Sequence, residues 1–322
     1  MNYDEFKERL KQEIQAHFEK QITFVEGVVN KTNELLESLT IRFEDQMTAP
    51  TIYPQKIYED YQEGMPFSQI AEGISASLMT ASIEVPELII ENAQKSISFS
   101  LLNKEKNKQL LKDCPYREIH DLAAIPRWHI SDGKSEASFV VNYNVMQHLR
   151  LTKEEVLDIA QKNTESADYF CKNMDDILKD IMIQDGIPEE IAEEFFPEGQ
   201  LPIFVISNQN KFDGSCAVLS DSFMQSTAEK IGSEELYLLP SSRHEMLALN
   251  ADGVDNPAIL KTMVADVNSN PDVIRAEDFL SNSIYKYNAV THSLSVCDSK
   301  GLFHDKGFQK ENIKQTIGRG RA

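Results

Sequence analysis

Basic residues are scarce in this chain. Thirty-two Lys and Arg stand against 52 Asp and Glu, a formal charge of −20 over 322 residues. A duplex-binding surface needs clustered cations to neutralise phosphates, so specific binding of duplex nucleic acid is disfavoured, and so is docking on an anionic membrane. Cysteine is equally sparse. Cys114, Cys171, Cys216 and Cys297 lie far apart with no CxxC pair, so the zinc-ribbon pattern is missing. That usage reads as a reduced, cytoplasmic chain. Long apolar runs are absent too. The most apolar stretch, 68–90, is broken by Glu72, Glu84, Pro86 and Glu87, which rules it out as a membrane span. Residues 1–10 carry Asp4, Glu5 and Glu8 and no apolar segment, so no signal peptide is expected. Neither GxxxxGK[ST] nor GxGxxG occurs, so the ordinary nucleotide cradles are missing.

Apolar residues nonetheless reach 41%, enough for a real core, and the length suits about two domains. Phe6, Leu10, Ile14 and Phe18 recur every four residues and predict an amphipathic helix over 3–20. Strands over 22–29 and 36–43 form a hairpin around residues 30–33. Leu39, Ile41 and Phe43 alternate with Thr40, Arg42 and Glu44, so one face is wet. Helices are expected over 55–62, 67–80 and 86–112. Strands over 118–130 and 137–143 follow, turned at residues 131–133. Thr152 and Glu155 fit a capping box, with Leu151 and Val156 at the staple positions. A further helix is expected over 167–183, and an acidic helix or loop over 188–199.

From residue 201 onward strand pairs alternate with helices. Strands are expected over 203–206 and 216–219, then 236–239 and 246–249, then 282–287 and 290–296. Helices are expected over 221–231, closed by Gly232, and from the Asn256-Pro257 start to 267. Hairpins between helices, rather than single strands, point to an α+β architecture of antiparallel strand pairs with helices packed on the sheet. Residues 1–113 are expected to form an N-terminal α+β lobe and residues 114–299 a C-terminal lobe of repeated strand-strand-helix units. Residues 300–322, with six basic and two acidic residues, form a basic mobile tail, which leaves the body at −24.

The segment Pro240-Ser241-Ser242-Arg243-His244-Glu245 concentrates polar groups where two apolar strands meet. In an extended chain Ser242 and His244 would share a face with Cα atoms about 6.5 Å apart. A hydroxyl beside an imidazole begins a nucleophile–base pair. The same residues also suit a turn whose hydroxyls bond the backbone. Ser241, Ser242, His244 and Glu245 are therefore the candidate ligand-contacting or polar site, and no catalytic residue is assigned. His120-Asp121, His129, Asp132 and His148 lack the spacing of a metal set, and neither metal nor cofactor is expected. Asn208, Asn210, Asp213 and Gly214 mimic a calcium loop, but Phe212 and Asp213 stand at its fifth and sixth positions, so a hairpin turn accounts for them better. Tyr53, Tyr58, Tyr61 and Phe67 read as core-facing sides of short helices rather than a stacking surface.

Several segments taken in order resemble a known family. They are Ala49-Pro50-Thr51-Ile52-Tyr53 with Tyr58, Tyr61 and Gly64, and Asn103 to Asn107 with Leu110-Leu111 and Pro115. Asp121-Leu122-Ala123, Ala160-Gln161-Lys162-Asn163-Thr164 and Leu239-Pro240-Ser241-Ser242-Arg243-His244-Glu245 continue the series. Over residues 1–297 the chain is similar to a bacterial family catalogued only as a domain of unknown function. The resemblance implies a soluble bacterial protein and transfers no activity. Two functions stay open: a non-enzymatic acidic interaction or binding protein with an unidentified protein partner, or an enzyme with a cleft around Ser242, His244 and Glu245.

Overall fold

Asn2 opens the first helix. Its side chain accepts from the Glu5 amide while Glu5 reaches back to the Asn2 amide, a reciprocal capping box. The computed structural model describes residues 1–43, 49–80, 89–131, 136–197, 199, 201–254, 256–298 and 301–304. They pack as two units, Met1–Val85 and Pro86–Ala322. In the first, α1 (Tyr3–Ala16) is followed by β1 (Ile22–Lys31), β2 (Glu34–Phe43), β3 (Thr51–Ile52), α2 (Pro54–Gln62) and α3 (Phe67–Thr80). The hairpin pairs Ile22 with Phe43 through to Lys31 with Glu34, turning at Thr32-Asn33, where Asn33 takes φ 64°. Leu39, Ile41 and Phe43 are buried, as their alternation requires. Ile41 and Phe43 meet Phe6, Leu10 and Ile14 of α1, and Tyr58, Tyr61 and Phe67 surround Phe6 with ring centroids 5.2, 5.4 and 5.5 Å away. Phe67 is buried in this core, and Tyr58 and Tyr61 pack half-buried against it.

The second unit departs from the expected elements at four places. α4 (Ile90–Ser96) runs directly into β4 (Ile97–Asn103), so the long helix expected over 86–112 is corrected. Ile97, Phe99 and Leu101 alternate with Ser98 and Ser100, and pairing against a partner strand outweighs the helical period of the flanks. β5 (Arg117–Ile119), β6 (Leu122–Ser131) and β7 (Glu136–Val140) complete a four-stranded antiparallel sheet in which β4 lies on one side of β6 and β5 and β7 on the other. His120-Asp121 interrupts the single strand expected over 118–130, with His120 at φ 57°.

α5 (Tyr143–Leu149) and α6 (Lys153–Glu165) follow. α6 carries the expected capping box of Thr152 and Glu155. The helix expected over 167–183 is instead β8 (Tyr169–Asn173) and then α7 (Met174–Gln184), because Asn173 ends the strand and caps the helix through the Asp175 amide. α8 (Glu189–Phe195) and β9 (Ile203–Asn208) come next. The returning strand expected over 216–219 is a buried 3-10 helix, Gly214–Leu219, entered through Asp213 at φ 55°. Then come α9 (Asp221–Ile231), β10 (Glu235–Ser242), β11 (Glu245–Asn250), α10 (Pro257–Asn268), β12 (Tyr285–Asn288), β13 (Ser293–Cys297) and β14 (Phe303–His304).

Seven strands form a second antiparallel sheet in the order β14-β13-β12-β10-β11-β9-β8. One core joins both sheets of this unit. Ile97, Phe99, Leu101 and the fully buried Trp128 meet Val156 and Ala160 of α6, the 3-10 segment, and Leu236, Leu238, Met246 and Tyr285. Residues 86–113, expected in an N-terminal lobe, contribute Ala93 to Leu101 to this core. β14 pairs Phe303 with Cys297, and the Phe303 ring stacks on Tyr237 at 5.3 Å. The sheet thus continues past the expected boundary at 299, and residues 305–322 lie outside the described residues. The three sheets, each antiparallel and covered by helices, make an α+β protein.

Candidate functional site

The polar segment at residues 240–245 folds into a tight hairpin. β10 ends at Ser242 and β11 begins at Glu245, leaving Arg243 and His244 as a two-residue turn. The chain is therefore not extended there, and the shared face expected for Ser242 and His244 is corrected. Instead the Ser242 hydroxyl accepts from the His244 amide at 3.0 Å. A register shift between Pro240 and Ser242 turns the strand end, and the Ser241 hydroxyl donates to Glu245 Oε1 at 2.8 Å. The four candidates are together, but they bond one another.

His244 is engaged at both ring nitrogens. The Asp213 amide donates to Nδ1 at 3.1 Å, so Nδ1 accepts and Nε2 carries the hydrogen. Nε2 then donates to Asp278 Oδ1 at 2.9 Å. The turn carbonyls are held as firmly. Ser215 donates its hydroxyl to the Arg243 carbonyl at 2.6 Å and Ser207 to the His244 carbonyl at 2.7 Å, while the Arg243 amide donates to the Asp278 carbonyl at 2.8 Å. An imidazole with both nitrogens bonded acts as a bracket, not as the base of a nucleophile pair.

What the turn braces is Asp213. This carboxylate is 4% exposed, and three donors converge on one oxygen. Oδ1 accepts from Ser100 Oγ at 2.9 Å, from Arg243 Nε at 3.0 Å and from Arg243 Nη2. The second oxygen, Oδ2, is buried and has no hydrogen-bond partner among the described residues. Arg127, on the same sheet face as Ser100, adds a nearby cation. Burial pulls its guanidinium below the ordinary arginine range, and the charge of Asp213 opposes that pull. Its Nη1 donates to Ser138 Oγ at 3.2 Å.

Asp213 forms part of the wall of a cleft of about 450 Å³. The rest of the wall comes from the α4–β4 junction and β4 (Lys95, Ser96, Ser98, Phe99), from His129 and Ile130 of β6, from Asn163 and Ala167 at the end of α6, from Tyr169 at the start of β8, and from Asn208, Asn210, Phe212 and Cys216. Asn208 closes its own loop, donating to the Phe212 carbonyl at 2.8 Å and accepting from the Phe212 amide at 3.1 Å, as a turn residue does. Gly214 permits the approach of β9 to the hairpin. A Cβ there would meet Ser207 Oγ, lie 2.5 Å from the His244 carbonyl oxygen and lie 2.8 Å from the Asn208 amide.

Cys216 also belongs to the wall, yet it is no nucleophile. Its thiol donates to the Phe99 carbonyl at 3.0 Å, and complete burial pushes it well above the ordinary thiol value. None of Ser241, Ser242, His244 or Glu245 lines the cleft. His244 touches it through Phe212, whose ring is 5.4 Å away, and through the Asp213 amide.

The histidines weighed for a metal go separate ways. His120 Nε2 bonds the Leu294 carbonyl at 2.8 Å, His129 stands at the cleft, and His148 lies on α5. Asp132 lies outside the described residues. Among the described residues no group of three His, Cys, Asp or Glu could hold a metal ion. Asp121 is held by Ser281, Ser283 and Tyr285 at 2.5, 3.0 and 2.6 Å, tying β12 and the segment before it to the four-stranded sheet. No helix among the described residues is long and apolar enough to cross a membrane.

Sequence reasoning missed Asp213, Ser100 and Arg127 as partners. One signal was present: Arg127 interrupts the apolar run Leu122-Ala123-Ala124-Ile125-Pro126, where a lone cation inside a strand asks for a buried acid. Comparison with known proteins gives one match. Neither a curated protein nor a solved structure matches the chain. The model of a family of unknown function, DUF5688, matches residues 3–289, a span that contains the whole cleft and its bracing hairpin, and the chain belongs to that family.

Proposed function

We propose that this protein is a binding protein that holds a small polar molecule in the cleft beside Asp213. One observation carries the proposal: the cleft of about 450 Å³ gathers the polar residues Ser96, Ser98 and Asn163 beside the aromatic residues Tyr169 and Phe212, with the braced Asp213 in its wall. The brace of Ser207, Ser215, Arg243 and His244 around it fits a preformed site. Binding is favoured over catalysis because the imidazole of the turn is committed at both nitrogens and the thiol in the wall is held protonated.

The −24 body supports a setting away from duplex nucleic acid and anionic membranes. Four free, buried cysteines support a reducing, cytoplasmic one. The test is a thermal-unfolding screen of a small-molecule fragment library against wild type and Ser98→Phe, which fills the cleft from β4 and leaves both residues of the Asp213–Arg243 pair unchanged. Fragments that raise the melting temperature of wild type and not of Ser98→Phe are expected. A library whose hits act equally on both, or give no hit, would sink the proposal.

A further inference from the structure

We infer that the helical hairpin of α7 and α8 is a docking surface for a basic amphipathic helix of a partner protein. The surface is separate from the cleft, whose wall takes nothing from either helix. The hairpin turns at Gly186, where the Gly186 amide donates to the Ile183 carbonyl and the Ile187 amide to the Met182 carbonyl, both at 3.0 Å. Residues 174–196 carry ten large apolar side chains, and none of the ten is buried. The hairpin buries only Asp175 and Ala192. Ile181 and Ile183 are 49% and 41% exposed, and Ile191 and Phe195 are 44% and 66% exposed. Ile191 and Phe195 stand four positions apart, so they share one face of α8. An apolar helical face left open in this way marks a place where another surface docks.

Charge decides what docks. Residues 180–210 hold seven acidic residues and no Lys, Arg or His, against a chain total of −20. Asp176 and Asp180 meet Lys179 and Lys172 at 3.7 and 3.6 Å, but the four glutamates of α8 enter no ion pair among the described residues. Glu190 and Glu194 each precede a residue of the open face by one position, so they flank it on α8. A second copy of this chain would set one acidic hairpin against another, and like charges across an interface oppose association. An anionic lipid surface is repelled in the same way. A helix with an apolar stripe bordered by lysines answers both features. Its stripe covers Ile191 and Phe195, and its lysines meet Glu190 and Glu194.

The experiment is fluorescence anisotropy of a labelled peptide titrated with the full chain at physiological salt. The peptide has about 18 residues, with Leu at i, i+3 and i+4 spacing and Lys elsewhere. A scrambled peptide of the same composition and an oligolysine of the same length are the controls. The amphipathic peptide should bind in the micromolar range, and both controls at least tenfold more weakly. Replacing Ile191→Ser together with Phe195→Ser should weaken binding at least tenfold, and so should Glu190→Lys together with Glu194→Lys. All four positions are exposed, so both double variants should melt at the wild-type temperature by circular dichroism. Should the serine pair disturb the hairpin, the lysine pair supplies the comparison. Equal binding of oligolysine would reduce the effect to bulk charge and overturn the inference, as would binding that both double variants leave intact. A dimer in sedimentation velocity that the serine pair dissolves would put a second copy on this face. Phosphatidylcholine vesicles retained by wild type and not by the serine pair would put a lipid surface there. Either result overturns the inference, and so does the absence of binding to the amphipathic peptide. None of these outcomes bears on the cleft.

Discussion

Replacing His244 by alanine separates a bracket from a ligand contact. A ligand-contacting histidine on an accessible strand edge would tolerate the change within about 0.5 kcal/mol, as surface positions usually do. The geometry demands more. Nδ1 is the acceptor for the Asp213 amide, which belongs to a residue 4% exposed, so truncation leaves a buried N–H without its partner. That orphan costs about 1–3 kcal/mol. The bond to Asp278 is half-exposed and adds little, whereas lost packing against the Phe212 ring, 5.4 Å away, adds to the cost. A total of about 2–3 kcal/mol is expected, or roughly 4–12 °C in melting temperature for a unit of this size. Trp128, the only tryptophan and fully buried, reports the transition by fluorescence. Guanidinium unfolding compared at equal m-value is the assay. Asp278→Asn is the control, since an amide oxygen can still accept from Nε2–H, and it should stay within about 0.5 kcal/mol. A loss below about 0.5 kcal/mol for His244→Ala would refute the bracket and return His244 to the candidate ligand contacts.

Gly214→Ala should be among the most damaging single substitutions, costing about 3 kcal/mol or more by denaturant unfolding, because its Cβ would strike the His244 carbonyl oxygen and the Asn208 amide. Wild-type thermal stability in that variant would mean the hairpin and β9 can separate freely. Phe303→Ala should cost about 1–3 kcal/mol through the lost stack on Tyr237 and the lost contact with Lys286, whose Nζ lies 5.2 Å from the ring; no measurable change would detach β14 from the sheet. The native thiols should react slowly with a disulfide reagent even at mildly alkaline pH. All four are buried, and burial pushes the Cys114 thiol up to about 12, so fast labelling before unfolding would contradict the packing. In the first unit Lys11 holds Glu26, and Lys7 holds Glu37, below the ordinary carboxylate value of 4.5. A depressed folded value gives stability that is present above 4.5 and is lost as pH falls through the folded value. Lys7→Met should therefore flatten the acid limb of stability against pH, measured by circular dichroism, and an unchanged limb would remove the Lys7–Glu37 pair from acid unfolding.

Local chemistry determined a good part of this molecule from the sequence alone. Phe6, Leu10 and Ile14 at helical spacing, the Thr152–Glu155 box, Asn256 ahead of Pro257, and Gly232 closing α9 at φ 77° all stand where short-range rules put them. Leu39, Ile41 and Phe43 are buried because alternation in one strand already decides which face is wet. Tertiary structure decided the rest. Ile97 to Asn103 became a strand because β6 was there to pair with it, and 214–219 became a buried 3-10 helix because Asp213 turns the chain beneath the Arg243–His244 hairpin. The polar segment at 241–245 was legible as a place where something polar happens, but its role was not. Ser100, Asp213 and Arg243 are brought together across 113 and 30 positions of chain, and no local pattern records a meeting at that separation. A side chain's neighbours along the chain set its backbone preferences. Only its neighbours in space set which of its lone pairs are satisfied, and the unsatisfied oxygen of Asp213 exists at that second level.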